Sequence, residues 1–109
     1  MPRKRDNIDR EERKEETLRP SPYIGYNRDK LAIYLLSRKA YKIAESQFMR
    51  AIWLNPYEAV FKQHLAACLY QDGRYTEAKE WILKALEQKP DDTESKKILN
   101  LIEEKLTKK

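Results

Sequence analysis

Two glycines, one histidine, one cysteine and five prolines are all that 109 residues contain of these types, and each scarcity removes a class of function. With Gly25 and Gly73 as the only glycines, a glycine-rich loop that cradles phosphate cannot be built. His64 and Cys68 stand four apart, within reach on one helix, but no third ligand or orienting carboxylate has recognisable spacing. The pair therefore predicts neither a zinc site nor a Cys-His nucleophile, and the chain reads as a non-enzyme with no metal and no cofactor. A lone cysteine cannot close an internal disulfide. In the run Leu65-Ala66-Ala67-Cys68-Leu69 it reads instead as a small buried hydrophobe.

Long apolar runs are missing too. Even Leu31 to Leu36, as long as any, falls far short of the ~20 residues that span a bilayer. No apolar core follows Met1-Pro2-Arg3-Lys4-Arg5, so no signal peptide is expected and a cytoplasmic protein is. Nor does one sign of charge dominate. The net charge is +5, with seven Lys/Arg against six Asp/Glu in residues 1–22 and sixteen against twelve in 23–109. Acids and bases alternate along most of the chain, which argues against a nucleic-acid-binding face.

What the chain does have is 38% charged and 40% hydrophobic residues, a mixture suited to amphipathic helices rather than a sheet. It also has a period. Shifting the sequence by 34 brings Tyr23 onto Tyr57, Leu31 onto Leu65, Ala32 onto Ala66 and Leu35 onto Leu69. Further along, Tyr41 meets Tyr75, Ala44 meets Ala78 and Ala51 meets Ala85, while Phe48/Ile82 and Ile52/Leu86 agree in character. Pro22, Pro56 and Pro90 are also spaced by 34. The matched positions are apolar, small or turn residues, and the charged ones drift. A shared packing scheme selects such positions; chance does not.

Each period reads as two helices. Leu31, Ala32 and Leu35 share a face of the first, and Tyr41, Ala44, Phe48, Ala51 and Ile52 stripe the second. Ala32, Ala44, Ala66 and Ala78 are small where two helices must approach closely, and large neighbours fill the space between layers. Proline ends each second helix. Gly73 suits the left-handed residue that closes a first helix. Lys39 stands at the corresponding place in the other repeat, at a cost on the order of 1 kcal/mol if the backbone is kept.

These residues resemble the tetratricopeptide repeat pattern. Leu31, Ala32, Leu35, Ala44, Phe48, Ala51 and Pro56 carry one copy, and Leu65, Ala66, Leu69, Ala78, Ile82, Ala85 and Pro90 the other. Two copies in register are strong where one would be weak. The pattern's bulky Trp is replaced by Arg28 and Lys62, and its small Gly by Ala, so an altered first-helix contact is expected, with Phe61 supplying bulk. The fold class that follows is all-α, a short α-solenoid of antiparallel helix pairs. Its predicted divisions are a charged, Pro-containing N-terminal arm (1–22), repeat 1 (23–56), repeat 2 (57–90) and a C-terminal capping helix (91–109).

The cap reads from an Asp91-Asp92-Thr93 start and a stripe of Ile98, Leu99, Ile102 and Leu106. Residues 1–22 hold only Ile8 and Leu18 as sizeable hydrophobes, so no core forms there. Asn7 to Leu18 suits a lone solvated helix, and Arg19-Pro20-Ser21-Pro22 an extended segment. A floppy tail and a partner-binding arm both remain open for this stretch.

In such solenoids the first helices line a concave side. The resemblance therefore implies a groove for a peptide or helix of another protein, lined by Tyr26, Asp29, Lys30 and Ile33 from repeat 1 and by Gln63, His64 and Tyr70 from repeat 2. Trp81 reads as core. Trp53, whose counterpart is Glu87, reads as solvent-facing and as a second contact with a partner or the arm. The implied function is a non-catalytic protein-protein interaction adaptor or small subunit of a larger assembly. The runner-up readings are a nucleic-acid-binding accessory protein, through the Met1–Arg5 cluster, and a self-associating structural protein. The latter arises because the upstream face of the first helix lacks a cover, unless Tyr23, Ile24, Tyr26 and Tyr34 or a second copy provide one.

Overall fold

The computed structural model describes residues 25–108. The predicted arm, with Tyr23 and Ile24, lies outside the described residues. Five helices follow in order: α1 (Tyr26–Ser37), α2 (Tyr41–Leu54), α3 (Ala59–Gln71), α4 (Tyr75–Gln88) and α5 (Thr93–Thr107). The described residues include no strand. A shift of 34 carries the bounds of α2 onto those of α4 and the start of α3 onto the start of α5.

Local chemistry sets the ends. The turns after α1 and α3 are the same Schellman closure: Ala40 N–H donates to Leu35 O at 3.0 Å and Arg74 N–H to Leu69 O at 2.9 Å. The residue inside each closure is left-handed, Gly73 at φ 82° and Lys39 at φ 62°. Repeat 1 therefore keeps the backbone that glycine adopts freely and bears the strain of a side chain there. Behind Pro56 and Pro90 the second helices end alike, at Asn55 (φ −142°, ψ 82°) and Lys89 (φ −137°, ψ 81°). Glu58 caps α3 by accepting from the Val60 N–H at 3.4 Å, and Asp92 precedes α5, where its carboxylate accepts from Ser95 Oγ at 2.6 Å. Gly25 opens α1 at φ 89°, and a Cβ there would sit 2.8 Å from Phe61 Cε2 and 3.0 Å from Ala51 O. Only glycine satisfies both the angle and the close approach.

One core runs the length of the stack. Ala32, Ala44, Phe48, Leu65, Ala66, Cys68, Leu69, Ala78, Ile82, Ala85 and Ile102 form a continuous buried cluster. The four paired alanines are all fully buried, as close helix approach requires. Trp81 packs at the core margin, with the Lys84 ammonium 4.3 Å from its ring centroid. Phe61 is buried and meets Tyr26 edge-on at 5.0 Å, so it does supply bulk at the first-helix seam.

Two expected core residues are not core. Leu31 is 44% exposed although its counterpart Leu65 is fully buried, because no helix pair precedes α1 among the described residues. Leu106, placed on the inner stripe of the cap, is exposed for the mirror reason: no described helix follows α5.

Consecutive helices pack as antiparallel neighbours, and α1 touches α3 as α3 touches α5. The second helices α2 and α4 make no such approach to each other. In a curved stack the layer whose helices converge is the inner one. That layer is α1, α3 and α5.

Candidate inner face of the helix stack

Each inner helix hands a polar side chain to the next. Asp29 on α1 is only 4% exposed, and His64 Nδ1 of α3 lies 2.9 Å from its Oδ1 and 3.1 Å from its Oδ2. A carboxylate only accepts, so Nδ1 carries the proton in this bond. One step on, Ser95 Oγ of α5, whose proton goes to Asp92 at 2.6 Å, lies 3.5 Å from the Gln63 side-chain amide of α3. The Asp29–His64 bond ties α1 to α3, since a buried carboxylate left without a partner is strongly disfavoured.

The predicted groove residues therefore divide. Asp29 does not face the groove as an open charge, as the sequence reading had it; its burial demands a partner, and His64 is that partner. Tyr26 is half-buried, packs on Phe61 and donates its hydroxyl proton to Glu58. That hydrogen bond, followed by burial, pushes the phenol up to about 12. Gln63 is half-buried and lies beside Ser95. Tyr70 is half-buried against Tyr75, ring centroids 5.5 Å apart. Lys30 and Ile33 stand exposed. Trp53, 42% exposed, sits on α2 in the outer layer, whereas the other seven predicted residues lie on α1 and α3.

Two further interactions went unread in the sequence. Arg74, in the turn before α4, forks onto Glu45 of α2 at 2.6 and 3.1 Å and also bonds Glu77 at 2.5 Å. Its bonds to Glu77 and then Glu45 raise the guanidinium pKa, and the same contact lowers that of Glu77. Lys62 donates to Pro56 O at 2.8 Å and to Gln88 Oε1 at 2.5 Å, closing the proline turn onto the end of α4; burial and then Lys84 lower its pKa.

Asp29, His64 and Cys68 are the residue types of a nucleophile relay, so their geometry matters. Cys68 is buried, its Sγ points to Tyr41 O at 3.5 Å, and burial pushes the thiol up to about 11. A thiol closed to substrate and held protonated is not a nucleophile. Among the described residues, no group of three or more His, Cys, Asp or Glu is placed to hold a metal ion. No described helix is long and apolar enough to cross a membrane.

Stacked pairs of 34 residues, small residues at each crossing and an inner layer of first helices are the marks of one family. The tetratricopeptide repeat model matches residues 35–102. The chain belongs to the tetratricopeptide repeat family. No curated protein matches it. The matched span begins near the end of α1 and ends at Ile102, so it takes in α2, α3, α4 and most of α5. Tetratricopeptide repeats generally mediate protein-protein interaction.

Proposed function

We propose that this tetratricopeptide repeat chain is a non-catalytic adaptor, or a small subunit of a larger assembly, that takes up a peptide or helix of another protein along α1, α3 and α5. One observation carries the reading. In the inner layer the buried Asp29 is satisfied by His64 and Gln63 lies beside Ser95, while Lys30 and Ile33 stand exposed on the same helices and Tyr70 is exposed in part. A layer whose buried carboxylate is satisfied and whose surface mixes cation, aliphatic and aromatic groups suits an extended or helical ligand. Trp53 on the outer layer is proposed as a second contact.

Tagged full-length chain carrying Ile33→Glu with Tyr70→Ala tests the groove. Partner recovery in affinity purification falls about tenfold or more, as loss of a central anchor implies, while far-ultraviolet circular dichroism is unchanged. Full recovery by the folded double variant removes the groove as the binding site.

A further inference from the structure

Surplus charge and exposed apolar groups gather at one end of the described stack. Between Gly25 and Pro56, six Lys or Arg stand against two Asp or Glu, whereas residues 57–90 and 91–109 each hold five of either sign. The charge that reads as thinly spread along the chain is thus concentrated in the first repeat. Both acids of that repeat are already engaged by the second, Asp29 by His64 and Glu45 by Arg74.

The face of α1 that points upstream has the same register as a covered face of α3. Asn27, Leu31 and Tyr34 correspond to Phe61, Leu65 and Cys68. Tyr34 is 59% exposed, Cys68 1% and the α5 counterpart Ile102 0%. In α3 that face lies under the preceding helix pair, with Phe61 on Tyr26 and Cys68 on Tyr41. Two of the contacts across that seam share a polarity: Asp29 and Glu45 of the upstream pair meet His64 and Arg74 of the downstream one. Lys30 holds the register position of His64, and exposed Arg38, Lys39 and Lys42 surround Ala40, which holds that of Arg74.

We propose that this end face of α1 docks an acidic amphipathic helix of another protein, seated with apolar side chains on Leu31 and Tyr34 and carboxylates toward Lys30 and Arg38. The stripe from Asn27 to Arg38 is about three turns long at ~1.5 Å per residue, which sets the length of the partner helix. A second copy stacked head to tail is the poorer occupant. Its α5 carries Lys97 where α1 carries Asp29, so the contact that joins Asp29 to His64 would become Lys97 against Lys30. The surface shares Lys30 with the inner groove, but its apolar seat, Leu31 and Tyr34, is not among the groove residues.

The probe is a labelled 14-residue helical peptide with leucines on one face and glutamates on the other, titrated against the full chain by fluorescence anisotropy. Its lysine-for-glutamate copy is the control. The glutamate peptide binds, loses affinity as salt rises, and binds Tyr34→Lys about tenfold or more weakly, whereas Tyr70→Ala leaves it unchanged. Tyr34 is exposed, so its replacement does not compromise folding. Absent binding, equal binding of both peptides, or sensitivity to Tyr70→Ala in place of Tyr34→Lys overturns the proposal. So does displacement of the peptide by a stoichiometric single-stranded oligonucleotide, which would assign the face to nucleic acid. A rise of about tenfold in peptide affinity when Asp9, Glu12 and Glu16 are all changed to Lys also overturns it, because the chain's own N-terminal segment would then be the occupant.

Discussion

Repeat 1 and repeat 2 share a backbone and differ in what surrounds it. Leu31 and Leu65 occupy one register position, as do Tyr34 and Cys68, yet the first of each pair is open and the second closed. Lys39 and Gly73 take the same left-handed conformation with unequal ease. Burial in a stack is therefore decided by the neighbour on each side, while helix and turn geometry are decided within the repeat. The seam between them adds a third layer, because Asp29 and Glu45 find their partners only in the following repeat.

The sharpest break in that comparison is a matched pair of truncations. Leu65→Ala opens a cavity in the shared core and costs about 2–5 kcal/mol, read by urea unfolding. Leu31→Ala, at an open site, costs under about 1 kcal/mol by the same measurement. Equal losses would mean that α1 is covered as fully as α3.

Alkaline stability separates the repeats next. Burial raises the Cys68 thiol from 9.0 to about 11, and the unfolded chain sheds that proton first. The contribution is whole below pH 9 and lost as pH rises through about 11. At 1.36 kcal/mol per pH unit it reaches at most about 3 kcal/mol, and Cys68→Ala should flatten that part of the profile. Tyr26, raised by its bond to Glu58, loses its contribution in the same direction at somewhat higher pH. A variant lacking the thiol but showing an undiminished drop would place the effect on Tyr26.

Removing the seam comes third. Asp29→Ala leaves His64 without its acceptor and costs about 1–3 kcal/mol. A double-mutant cycle with His64→Ala should show coupling on the order of 1 kcal/mol, and additive losses would mean that the bond contributes nothing to stability.

The smallest effect is the most symmetrical. Gly73→Ala is destabilising and Lys39→Gly stabilising, each by about 1 kcal/mol, because both change only the ease of a left-handed residue. Thermal melts of the two variants should shift in opposite senses.

Much of the fold was legible because the same contact recurs. Ala32 and Ala66, Ala44 and Ala78, and the three prolines repeat since each helix crossing asks for the same volume. Gly73 announced its turn, and the register carried that turn back to Lys39. What escaped depends on relations between elements. An apolar stripe says which face seeks cover but not whether a helix arrives, hence the misplacing of Leu31 and Leu106. Asp29 and His64 are 35 residues apart and look like groove residues until the offset of α1 against α3 makes them neighbours. The clue was there in retrospect: a carboxylate at one register position, and an imidazole at the adjacent position one period later. The groove residues that keep exposed surface, Lys30 and Ile33 and in part Tyr70, were legible only through the family pattern.

The matching torsions at Asn55 and Lys89 mean that the chain leaves both second helices on the same heading. Residues 57–90 thus behave as a cassette with compatible ends. A further copy spliced after Pro90 would enter on the trajectory that α5 now follows, lengthening the rod by one step without redesigning either junction.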